Sequence, residues 1–181
     1  MYISEELRKN NIAEYLLYMW QVEDTVRAAG LDSDRLYESV ISASGRTEKE
    51  CQAWKQWYAD IADMMRREDK VGGGHLQVND TVLAMLSDLH ARLIESGRTV
   101  EYRDAYYKAL PFIVEFRSKN RSQDNDELRD CFELMYGVWM LKLQKKTIGE
   151  AAAQAVAAIS KMIAMLASYY RDDKEGRLDL D

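Results

Sequence analysis

A chain of 181 residues, 47% hydrophobic and 31% charged, has the size and composition of one ordinary globular domain with a real core. Its net charge of −6 lacks the basic excess of a phosphate-binding surface, so no nucleic-acid partner is expected. One proline and nine glycines are too few for the tight turns of an all-β fold.

Nearly every segment has a helical period. The first helix is expected from about Ser4 to Ala29, closed by Gly30, with an interruption at Asn10 and Asn11. A short helix follows over about 33–43. "TEKE" at 47–50 reads as a capping box opening a helix to about Asp69. "KVGGGHLQVN" is the clearest loop. A helix then runs to Glu95, and another covers about 99–119, where Pro111 should kink or split it. "SQDND" opens a helix from about 124 to 146. "TIGE" at 147–150 reads as a second capping box, and the last helix reaches about Arg171. Short connections predict an all-α, up-and-down bundle of six or seven helices. Residues 1–175 form one domain on this reading, and 176–181 a mobile tail.

Charged residues on apolar faces are the candidates for function. A helix turns about 100° per residue, which places Glu23 about 20° from Ile12 and Leu16, on the stripe they form with Met19 and Val26. Glu68 extends the face of Trp54, Trp57, Tyr58, Ile61, Met64 and Met65. Arg103 and Arg117 fall on a face with Tyr106, Tyr107, Leu110, Ile113 and Val114. His90 flanks the stripe of Val82, Leu86, Leu89 and Leu93. An isolated buried charge costs several kcal/mol, so these groups need partners. The expected partner of Glu23 is Arg117, with Arg103 as the substitute, and with Glu68 and tyrosine hydroxyls completing the network.

No metal and no cofactor are expected. Carboxylate-bridged metal bundles use Glu-x-x-His pairs, and neither His75 nor His90 has a glutamate three residues before it. "GGGH" at 72–75 lacks the Gly-Lys-Ser/Thr and the strand of a phosphate loop, and reads as a helix connection. Cys51 and Cys131 lie on apolar helix faces, which suits reduced thiols and a cytoplasmic location. "MYISEELRKN" has no signal-peptide core, and the apolar run at 151–170 contains Gln154, Ser160 and Lys161, so no membrane span is expected.

"NNIAEYLLYMWQVED", "WYADIADMMRRE", "GHLQVN", "YYKALPFIVEFR", "CFELMYGVWMLKLQKK" and "ISKMIAMLASYY" together resemble an uncharacterised all-helical bacterial family, a domain of unknown function found mainly in anaerobic gut bacteria. The resemblance covers nearly the whole chain. It implies a single intracellular helical domain and carries no functional residue.

Three readings of function remain. The first is a non-catalytic interaction or scaffold module, with a protein partner or a second copy meeting the off-stripe residues Ile3, Leu7, Leu17 and Tyr18 of the first helix. The second is a small-molecule-binding bundle with a charged pocket of Glu23, Glu68, Arg117 and His90. The third is an acid–base enzyme using the same groups.

Overall fold

The computed structural model describes residues 3–42, 44–120 and 126–180, and every regular element among them is helical. The α-helices are α1 (Ile3–Asn10), α2 (Ile12–Ala28), α3 (Ser33–Leu36), α4 (Glu48–Arg67), α5 (Gln77–Glu95), α6 (Val100–Asn120), α7 (Glu127–Leu143) and α8 (Glu150–Lys174), with a π-helical segment, Tyr37–Ile41, continuing α3. The expected six or seven become eight because the first helix divides. Asn11 donates its N–H to the Leu7 carbonyl at 2.7 Å, and its side-chain oxygen accepts the Glu14 N–H at 3.3 Å, starting α2. The stretch expected to open a helix near residue 124 lies partly outside the described residues; α7 is capped by Asp126.

The chain divides into two compact units, Tyr18–Thr81 and Met1–Leu17 with Val82–Asp181. The unit boundaries fall inside α2 and α5 rather than in linkers. In the smaller unit, α3, the π segment and α4 pack together around Leu36, Ile41, Tyr58, Ile61, Ala62 and Met65, all buried. The expected box opens α4: Thr47 Oγ1 accepts the Glu50 N–H, and Glu50 Oε2 accepts the Thr47 N–H at 2.8 Å. Gly30 and Leu31 end α2 with φ near +60–70°, and the Leu31 N–H returns to the Val26 carbonyl at 2.9 Å.

In the larger unit, α6 packs against α7 and α8, and α7 against α8. The buried side of α6 is Tyr102, Ala105, Ala109 and Ile113, which meets a partner helix whose buried side includes Ala155, Ile159, Ile163 and Ala167. This corrects the expected face. Tyr107 and Val114 stand 56% and 57% exposed, on the outside. Alanines turned inward let backbones approach closely, and that choice rotates the larger side chains away.

Pro111 does not split α6, which runs unbroken from Val100 to Asn120. The proline and Tyr107, whose carbonyl loses its amide donor, both lie on the exposed side, where solvent can serve that oxygen. The second capping box is also absent. Gly149 occupies the cap of α8 in extended conformation, and Glu150, already inside the helix, instead accepts from Gln154 at 3.2 Å. By length and composition α8 could cross a membrane, a test that core helices also pass.

Candidate functional site

Four of the five candidate residues fall into two groups, one within each compact unit, and Arg103 joins neither. Glu23 belongs to the first, and it is wholly buried on α2. The α2 stripe is as expected: Ile12, Leu16, Met19 and Val26 are all buried with it. Its partners are different from those expected. Oε1 accepts the Leu76 backbone N–H at 3.0 Å and the Asn79 side-chain amide at 2.7 Å. Oε2 lies 2.7 Å from His75 Nδ1, which donates when it carries the proton. The His75 ring stacks on buried Trp20, with centroids 4.0 Å apart and planes 11° apart.

These donors cluster because Leu76 caps α5. The Asn79 and Asp80 N–H groups both bond the Leu76 carbonyl, so Glu23 sits at the positive end of a helix that begins at Gln77. Glu68 serves the same end. At the close of α4 it is half-buried, and it accepts the Gln77 N–H at 2.6 Å. Arg27 fastens the preceding loop: Nε and Nη2 each donate to the Lys70 carbonyl at 3.2 Å, and Nη2 also donates to the Gly74 carbonyl. Thus two carboxylates and one guanidinium hold the start of α5, and among the described residues of this unit Glu23 has no arginine partner.

The second group lies in the larger unit. His90, at the flank of the buried α5 stripe, places Nδ1 2.6 Å from Tyr102 Oη and Nε2 3.4 Å from Glu127 Oε1. Tyr106 Oη donates to the same Glu127 oxygen at 2.9 Å. Hydrogen bonds from His90 and then Tyr106 hold the Glu127 carboxyl below its ordinary range, against the opposing effect of burial. Burial pushes the Tyr106 phenol up to about 12, with help from its bond to Glu127, and pushes the Tyr102 phenol and Cys131 thiol up strongly. Arg117 pairs with buried Asp130, Nε to Oδ2 at 3.1 Å, an ion pair without good hydrogen-bond alignment. Arg103 is half-buried on α6 and enters neither group.

Asn79, Asp130 and Tyr102 were not anticipated. Asn79 had a signal, since it continues the α5 stripe one turn before Val82. Tyr102 lies one turn ahead of Ala105 and Ala109, a face too small-sided to stand out. Asp130 sits beside Cys131 and Phe132 with no spacing that marks it.

Chemically, a carboxylate against Nδ1 is the arrangement that orients an imidazole for proton transfer. His75 is only partly covered, with its side chain 19% exposed, but the Glu23 carboxylate is already shared with the donors of the α5 start. Grooves of about 500 Å³ and 520 Å³ are lined elsewhere, by Arg92, Ser96 and Leu180 and by Thr25, Arg35 and Ser39 among others. Among the described residues, no three His, Cys, Asp or Glu side chains are grouped to hold a metal ion.

No curated protein matches the chain, and no solved structure matches it. Nothing in these comparisons points to a specific function. The family model described as Domain of unknown function (DUF4924) covers residues 1–177, so the chain belongs to that family.

Proposed function

We propose that this chain is a non-catalytic helical interaction module whose contact surface is the outer side of α6. One observation carries the reading. Val100, Tyr107 and Val114 are 66%, 56% and 57% exposed, and with exposed Pro111 they fall within about 60° of one another on the helix. Single exposed apolar residues are ordinary, whereas a stripe of them along four turns is what a partner surface needs. The charged residues of the core faces supply the complement: Glu23, Glu68, His90 and Arg117 have internal partners that account for their positions. The strip on the first helix is less open, since Leu7, Leu17 and Tyr18 are half-covered and only Ile3 stands out.

The same reading places the protein in the bacterial cytoplasm, with the gut-anaerobe distribution that the resemblance implies, and off the membrane. Two buried free thiols support a reducing compartment. The mutual packing of α6, α7 and α8 supports an up-and-down arrangement in that part of the chain. A photo-crosslinking amino acid placed at position 107 or 114, and at exposed Lys161 as control, tests the surface in the cell that makes the protein. Discrete adducts from α6 and none from the control are expected. Equal yields at all three positions would remove the reading.

A further inference from the structure

We propose that the partner of the α6 surface is a second copy of this chain, bound antiparallel through α6 about a two-fold axis near the Pro111–Phe112 peptide; this rests on the interaction reading above. The argument is charge complementarity. Five exposed charges line one flank of the apolar stripe, Glu101, Asp104, Lys108, Glu115 and Lys119, and the last four can pair across it. They fall between about 40° and 100° around the helix from Val100, all on the same side. In a two-fold antiparallel pair each flank meets the same flank of the other copy. Centred at residues 111–112, the pairing puts Asp104 opposite the second copy's Lys119 and Lys108 opposite the second copy's Glu115. Both contacts are attractive, and each occurs twice.

The apolar stripe obeys the same axis. Tyr107 falls level with position 116 of the second copy, just beyond its Val114, and Val114 falls level with position 109, between the second copy's Tyr107 and Pro111. The ring of Pro111, small and without an N–H to leave unpaired, lies at the crossing point. The flank charges already form pairs along their own helix, Lys108 Nζ to Asp104 at 2.6 Å and Lys119 Nζ to Glu115 at 2.5 Å. Those pairs stay exposed, so association adds an acid beside each cation without first breaking a buried contact. A pair of 21-residue helices is a small interface, and dissociation constants on the order of micromolar are expected.

Sedimentation equilibrium of the full chain tests this with two oppositely charged variants. Lys108→Glu with Lys119→Glu makes the flank wholly acidic. Asp104→Lys with Glu115→Lys makes all four pairing positions basic, leaving only Glu101 acidic near the start of the helix. Each alone should self-associate at least tenfold more weakly than the natural chain, and an equimolar mixture should recover a dimer. Helix content by circular dichroism confirms that the variants remain folded. A natural chain that is monomeric at millimolar concentration, or a mixture that fails to recover the dimer, would overturn the inference. Photo-crosslinks from α6 to a different protein, without self-association, would leave the interaction surface standing and remove the second copy as its occupant.

Discussion

Glu23 has no access to water, and three donors converge on it. Replacing it with leucine would leave the Leu76 N–H, the Asn79 amide and His75 Nδ1 without that acceptor at a buried helix start. A loss of roughly 3–5 kcal/mol in urea unfolding is expected, the cost of breaking one side of a buried polar cluster. The double variant Glu23→Leu with Asn79→Leu should lose less than the sum of the two single changes, because it removes one donor together with its acceptor. Glu127 gives a pH signature. Its folded carboxyl titrates below the unfolded value, so its contribution is present above pH of about 4.3 and is lost as pH falls through the folded pKa. Tyr106 has the opposite window: its folded pKa is raised to about 12, so stability present below pH of about 10 is lost as pH rises toward 12. Tyr106→Phe should flatten the alkaline loss in a pH series of urea midpoints and, by removing a bond to Glu127, shift the acid limb as well.

Among the helices, the two four-residue signatures that look alike in sequence should respond differently. Thr47→Ala removes a working cap and should cost about 1 kcal/mol. Thr147→Ala touches an exposed residue outside α8 and should cost no more than about 0.3 kcal/mol in the same denaturation assay. The sequence could not separate them, because Gly149 competes for the cap position of the second and wins by adopting extended backbone just ahead of Glu150. Pro111→Ala restores a donor for the Tyr107 carbonyl, and thermal unfolding should show a gain of about 1–3 kcal/mol. The stripes of α2 and α5 were legible because large apolar side chains repeat there with little competition. The inner face of α6 was not, since Ala105 and Ala109 define it and bulkier Tyr107 and Val114 point outward.

For the molecule as a whole, helical periodicity settles the class of fold, but it says nothing about which helices meet. That is why a sequence that puts Glu23 and Arg117 on apolar helix faces matches them to each other, whereas Glu23 meets Asn79 and His75, and Arg117 meets Asp130. One buried thiol lies in each compact unit, Cys51 in the smaller and Cys131 in the larger. Thiol labelling across a urea series should therefore expose both at one midpoint if residues 1–175 unfold as a single domain, and two midpoints would divide them.

The triple glycine of residues 72–74 is less uniform than its spelling. Arg27 grips the loop only by main-chain oxygens, those of Lys70 and Gly74, and ignores every side chain between them. Gly74 has φ of +75° and lies against the Lys70 side chain, while a methyl group at Gly72 or Gly73 would meet open space at ordinary φ. Two of the three glycines thus give the unfolded chain freedom that the folded one does not use. Gly72→Ala and Gly73→Ala should each raise stability by about 0.4–1 kcal/mol, whereas Gly74→Ala should lower it. This loop is thus a place to insert a label or a spacer after residue 72, with the anchors on either side left in place.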